Sequence, residues 1–156
     1  MDMVLKIAVM LLAFFFMEIV AWFTHKFVMH GFLWILHKDH HERKGKRFEW
    51  NDLFALIFAI PSVILILLGV HTLDYRFFIG IGIALYGLAY FLFHDSLVHQ
   101  RVRIWGNLNT NYLRAVVSAH EEHHMGRKNF GFLILFNWKY FRAEFQKAFY
   151  HRNYAG

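Results

Sequence analysis

Three apolar runs, Met3 to Phe23, Leu53 to Val70 and Phe77 to Phe93, limit this chain to few folds. An α-helix rises about 1.5 Å per residue and the hydrocarbon core of a bilayer is about 30 Å thick, so each run is long enough to span. The expected fold is all-α: an integral membrane helical bundle with three or four spans. Composition agrees, with 58% apolar residues and 19 phenylalanines. That is the balance of a membrane protein rather than a soluble one. A length of 156 residues suits one domain, and no linker or low-complexity tract divides it, so a single membrane-embedded domain over 1–156 is expected.

Several residues shape the spans. The chain opens MDMVLK, which is barely basic, and no small-residue cleavage site follows the first run. It reads as a retained helix rather than a signal peptide. Asn51 or Asp52 can cap the second span, and Pro61 is expected to kink it. Gly80 and Ala84 place small residues four apart on the third, where they permit close helix contact.

Charge sets the orientation. The formal net charge is +6, from 17 Lys and Arg against 11 Asp and Glu. Lys38, Arg43, Lys44, Lys46 and Arg47 follow the first span, and Arg101, Arg103, Arg114, Arg127 and Lys128 follow the third. Only Arg76 lies between the second and third. Basic residues beside spans read as membrane-orienting charge, not as a nucleic-acid surface. The expectation is an inner-membrane protein with its N-terminus outside and its C-terminus in the cytoplasm.

Ten of the twelve histidines fall into four clusters. They are His25-x4-His30, His37-x2-His40-His41, His94-x4-His99 and His120-x2-His123-His124. Each half of the chain is thus a span, an H-x4-H at its inner end and then an H-x2-H-H, with a longer insert from Arg101 to Arg114 in the second half. All four clusters fall on the cytoplasmic side, where a helical cap would hold them. Imidazole is a common ligand for iron, zinc and copper, and ten imidazoles are too many for one ion, so the count points to two. In H-x2-H-H all three rings share one helical face. In H-x4-H the two rings lie about 140° apart on an α-helix, which would send them to different neighbours. His71 and His151 stand outside the pattern and carry no expected role.

Carboxylates near the clusters can receive the outward N–H of a metal-bound imidazole. The candidates are Asp95, next to His94, and Asp39, inside the second cluster; Glu121 and Glu122 lie inside the fourth. Glu18 is an acid within an apolar span, a costly position, seven residues before His25 and so nearly on its face. It either serves the site or hydrogen-bonds to another helix, to Tyr86 or Tyr90. The chain has no cysteine, which excludes disulfides, thiolate metal sites and iron–sulfur clusters. In the tail, Phe130 to Trp138 is apolar but too short to span, so it is interfacial or re-entrant. Phe141, Phe145 and Phe149 then mark an amphipathic helix suited to the interface.

WFTHKFVMHGFLWILHKDHH, FHDSLVHQR, AHEEHH and FGFL, with NDLFALIFAIPS and DYRFFIGIGIALYG between them, resemble the bacterial beta-carotene hydroxylases. The boxes alone resemble the wider membrane fatty acid hydroxylase superfamily. The resemblance runs from about Phe16 to Leu133, with a loop between His124 and Phe130 shorter than in many relatives. It implies a non-haem di-iron monooxygenase that hydroxylates C3 of the β-ionone rings of a carotenoid taken from membrane lipid. O2 would be the co-substrate and a ferredoxin-type protein the electron donor. It also implies that the ten clustered histidines ligate two iron ions. Hydroxylation of a fatty acyl chain or a sterol, or ketolation of a carotenoid, is the alternative on the same chemistry. Metal transport without catalysis is disfavoured, because the histidines gather at one end of the spans and only Glu18 lies deeper.

Overall fold

The computed structural model describes residues 2–42, 48–102, 104–105, 110–126, 130–133 and 138–154. Among them there are six α-helices, two π-helical segments and no strand. The helices are α1 (Met3–Phe23), α2 (Trp34–His41), α3 (Asp52–Gly69), α4 (Tyr75–Tyr90), α5 (Asn111–His124) and α6 (Trp138–Tyr154). The π-helical segments are Thr24–Phe32 and Phe91–Val98. Among the described residues three stretches are long and apolar enough to cross a membrane: Met3–Phe32, Asp52–Gly69 and Tyr75–Val98. The first and third exceed the apolar runs because helix continues through the H-x4-H boxes. Their outer faces expose Val4, Leu12 and Phe16 on α1 and Leu56, Ile60 and Leu67 on α3, an apolar surface for lipid to cover.

The chain divides into two compact units, Met1–Tyr90 and Phe91–Gly156. The boundary gives each unit five of the clustered histidines. In the first unit α4 packs against both α1 and α3, and two glycines let it do so. A Cβ on Gly80 would meet the Ser62 carbonyl oxygen at 2.8 Å, and one on Gly82 would collide with the Met10 carbonyl oxygen of α1. The small-residue contact is therefore Gly80 toward α3 and Gly82 toward α1. Ala84, expected to partner Gly80, is exposed. Helix α3 continues through Pro61, and the next residue, Ser62, donates to the Gly80 carbonyl at 2.7 Å, a polar tie between spans.

In the second unit Thr110 caps α5, its side-chain oxygen accepting from Leu113 N–H at 3.2 Å. The buried residues of α5 are Ala115, Val116, Ala119, His120 and His123, a stripe at helical period. Ala115 and Ala119 pack with Tyr140 and the half-buried Phe141 of α6. Glu144 is also buried and pairs with Arg114 at 3.5 Å. The opposite face of α6 exposes Trp138 and Phe145, with Phe141 stacked between them at 5.2 and 6.4 Å. The amphipathic stripe of the tail thus exists in part as read; the Phe149 side chain and residues 134–137 of the apolar segment before α6 lie outside the described residues. So do residues 43–47, which include Arg43, Lys44, Lys46 and Arg47, and most of the short loop before Phe130.

Candidate metal centre

The first H-x4-H box lies within a π-helical segment, and the second starts in one at His94 and ends at His99, the residue just past it, which changes their geometry. An i→i+5 hydrogen bond closes a wider turn than the α-helical one, so residues five apart stack instead of diverging. His99 N–H donates to the His94 carbonyl at 3.0 Å, and Leu33 N–H to the Val28 carbonyl at 3.0 Å. The ring centroids are 5.0 Å apart for His25 and His30 and 4.6 Å for His94 and His99. The expectation that the two rings of each box diverge by the α-helical angle is therefore corrected. At Gly31 the backbone leaves helical range, with φ −104° and ψ −124°, and α2 begins three residues later. At the second box Gln100 adopts a left-handed φ of 52°, and Arg101 N–H returns to the Asp95 carbonyl at 2.9 Å.

In the first unit, α2 presents His37, His40 and His41 to the first box. Ring centroids are 5.0 Å apart for His25 and His37, 4.9 Å for His30 and His41, and 4.8 Å for His37 and His41. One nitrogen from each of His25, His30, His37 and His41 lies within 4.8 Å of the others. His40 stacks on His37 at 5.2 Å. His25, His37 and His40 are all at most 2% exposed. Trp34 walls the group, 5.2 Å from both His30 and His41.

The second unit repeats the arrangement. One nitrogen from each of His94, His99 and His120 lies within 4.8 Å of the others. His124 Nε2 is 2.9 Å from His120 Nε2, and His123 lies 5.5 Å from His120 between ring centroids. Phe132 packs edge-on to His94 at 5.4 Å and Phe130 to His123 at 5.4 Å. The two aromatic rings of the FGFL segment thus wall the imidazoles.

The Nε2 atoms approach one another while several Nδ1 atoms face oxygen. His41 and His37 are 3.2 Å apart through Nε2, and His99 and His120 3.0 Å. Two nitrogens each about 2.1 Å from one ion, at roughly a right angle, lie about 3 Å apart, so these separations suit neighbouring ligands of a shared ion. On the outward side, His37 Nδ1 faces Asn51 Oδ1 at 2.7 Å, His40 Nδ1 faces Glu49 Oε2 at 2.9 Å, and His94 Nδ1 faces Asp95 Oδ1 at 2.7 Å. An oxygen on the outward nitrogen leaves the inward one to ligate, a usual pattern around metal-bound histidine. Burial pushes His37 from 6.5 down to about 2, opposed by its Asn51 hydrogen bond and reinforced by nearby His40, His41 and His30. Neutral imidazole is the ligating form. The all-imidazole donor set therefore fits a first-row transition metal such as iron.

The expected carboxylates divide. Asp95 meets His94, with Arg101 Nη1 3.4 Å from its other oxygen. Asp39 does not reach an imidazole; its Oδ2 accepts from Trp50 N–H at 2.8 Å. Glu18 accepts from Tyr86 O–H at 2.8 Å, the helix-to-helix bond that was its alternative reading. Glu121 is exposed, and Glu122 accepts from Tyr140 O–H. Asn51 makes no capping bond with its side chain, which is turned to His37 instead. Glu49 was not singled out from sequence. Its one available signal was a carboxylate within a few residues of a span end. His71 is exposed in the α3–α4 turn, and the His151 side chain lies outside the described residues.

Membrane-length helices, with clustered and partly oxygen-backed imidazoles at their ends and on the short helices α2 and α5, define the class: a helical membrane protein with histidine groups suited to transition-metal ions. Comparison with known proteins makes the assignment specific. The chain belongs to the fatty acid hydroxylase family, whose model matches residues 10–142. It is 43% identical over 122 residues to the beta-carotene hydroxylase of Pantoea ananas, covering 75% of this chain and 70% of that protein. Against the beta-carotene hydroxylase of Pseudescherichia vulneris it is 40% identical over 136 residues, 84% of this chain and 77% of the relative. The beta-carotene hydroxylase of Paracoccus sp. strain PC1 is 39% identical over 123 residues, 75% of this chain and 76% of its own. No solved structure matches the chain. The protein is thus an enzyme of a hydroxylase family, an oxidoreductase carried on membrane helices.

Proposed function

We propose that this protein is a membrane di-iron monooxygenase that hydroxylates C3 of the β-ionone rings of carotenoids, taking beta-carotene through cryptoxanthin to zeaxanthin. The observation that carries this reading is identity of about 40% to bacterial proteins named beta-carotene hydroxylase across three quarters of the chain. Plastid relatives at 38% identity bear the name beta-carotene 3-hydroxylase, which supports the ring position. The chain acts as a single domain over 1–156, in a bacterial inner membrane, with the histidines and C-terminus cytoplasmic.

The ten histidines, five in each unit, hold two iron ions: His25, His30, His37, His40 and His41, with His94, His99, His120, His123 and His124. Bound iron supplies the redox chemistry that activates O2 toward an unactivated C–H bond. Each hydroxylation takes one O2, two electrons and two protons, puts one oxygen on C3 and releases the other as water. The protein's own contribution is position and exclusion. Asn51, Glu49 and Asp95 hold the outward protons of His37, His40 and His94, so those rings offer their inward nitrogen. Trp34, Phe130 and Phe132 keep water from the rings. An all-apolar substrate approaches from the lipid along spans whose outer faces are themselves apolar. Electrons come from a ferredoxin-type protein, whose acidic surface suits the basic cytoplasmic residues.

The test is expression in cells that accumulate beta-carotene, followed by pigment analysis. Zeaxanthin is the expected product. Unchanged beta-carotene beside membrane-inserted, iron-loaded protein would overturn the substrate. A keto-carotenoid, or a hydroxylated acyl chain, would move the enzyme to another branch of the family.

A further inference from the structure

We propose that Glu49 and Asn51 form a positioning clamp that fixes the imidazoles of His37 and His40 for metal, one through a carboxylate and the other through a neutral amide. The proposal rests on the metal-binding reading above. Its geometry lies wholly within the first unit. Glu49 Oε2 is 2.9 Å from His40 Nδ1, and Asn51 Oδ1 is 2.7 Å from His37 Nδ1. His37 Nε2 in turn is 3.2 Å from His41 Nε2, so the ring is held between an outward acceptor and an inward group of nitrogens. An oxygen acceptor at Nδ1 selects the tautomer with its proton there and stops the ring from flipping.

The clamp is itself built. Glu49 N–H donates to Asp52 Oδ2 at 3.1 Å and Trp50 N–H to Asp39 Oδ2 at 2.8 Å. The Asp52, Leu53 and Phe54 N–H groups return to the Glu49, Trp50 and Asn51 carbonyls at 3.0, 3.1 and 3.1 Å. This is a closed turn that leads into α3 and ties it to His37, Asp39 and His40 of α2. Asn51 is 4% exposed, and the Glu49 side chain is 11% exposed. A buried amide at a helix start normally caps that helix. Here it forgoes capping to meet a histidine. Asp39, which sits on the histidine helix, anchors the clamp's middle residue rather than any imidazole.

The two prongs differ in charge. A carboxylate behind an imidazole raises its basicity more than an amide does, so the Glu49-backed and Asn51-backed ligands are inequivalent. Both act through histidine and touch no substrate; they are positioning residues.

The test uses full-length protein reconstituted with ferrous iron in detergent. It measures iron per chain, resistance to a competing chelator, and the Mössbauer spectrum. Glu49→Leu and Asn51→Leu are expected to weaken iron retention by roughly 10- to 100-fold with helicity unchanged. Glu49→Gln and Asn51→Asp keep an acceptor oxygen, so they are expected to retain most of the iron and to shift the quadrupole splitting in opposite directions. Leucine variants that hold iron as tightly as the unmodified protein overturn the clamp. If those variants fail to insert, the near-isosteric pair decides: spectra identical to the unmodified protein overturn it, and shifted spectra uphold it. Unmodified protein that holds no iron overturns the metal reading and the clamp together. Iron-holding protein that makes no zeaxanthin overturns the substrate reading alone.

Discussion

At the scale of the residue, what matters about each histidine is which ring nitrogen turns inward. A neutral imidazole has one donor and one acceptor, so a partner on the outward side settles the inward one. Asp95 was legible because it is the direct neighbour of His94, and its contact needs no long-range folding. Glu49 and Asn51 were not, because they reach back across 9 and 14 residues to their histidines. Asp39 shows the converse: it is surrounded in sequence by histidines, yet its side chain turns to Trp50. His40 and His123 are the middle members of the two triplets, only 2% and 3% exposed. His40→Ala or His123→Ala is expected to cut zeaxanthin formation by at least about 100-fold while the protein still inserts. Pigment analysis beside a membrane-fraction blot checks this, and full activity would remove the residue from the ligand set.

At the scale of the element, two helices depart from the α-helical period where the chemistry requires it. Thr24–Phe32 and Phe91–Val98 are π-wound, and the wider turn brings five-apart histidines together. Apolar pattern cannot reveal this, since it reports a helix but not its winding. Lys26 shows how such a segment tolerates charge: its ammonium lies 4.9 Å from the Trp22 ring and 4.8 Å from the Phe27 ring. The starts of the spans were legible to within a few residues, because uninterrupted apolarity is a strong signal, but the first and third run on past the apolar runs into the histidine boxes. The contacts between spans were not legible, as the exposed Ala84 shows. Gly82 touches the backbone of α1, whereas a Cβ on Gly87 would meet nothing within 4 Å. Gly82→Leu is therefore expected to destabilise the protein by upwards of about 2 kcal/mol through overpacking, and Gly87→Ala to leave it nearly unchanged. Thermal unfolding in detergent, followed by circular dichroism, measures the difference; equal melting points would mean α1 and α4 do not approach as described.

At the scale of the whole molecule, the repeated histidine pattern sets a metal count and the basic residues beside the spans set an orientation. Purified protein is expected to carry about two metal ions per chain, preferably iron, by elemental analysis. A reproducible single ion would refute the two-metal model. A cysteine replacing Lys46 is expected to resist membrane-impermeant thiol reagents in intact cells and to react once the cells are opened. Labelling from outside would reverse the orientation.

The sequence by itself determined the helical membrane class, the ten imidazoles and their division into two sets of five. These follow from composition and local spacing, which need no knowledge of neighbours. The tertiary structure decided which oxygens stand behind His37 and His40, which glycines admit a neighbouring backbone, and how the H-x4-H pairs converge. Those depend on groups distant in the chain meeting at hydrogen-bond range, and on a change of helical winding that leaves no trace in the order of apolar and polar residues.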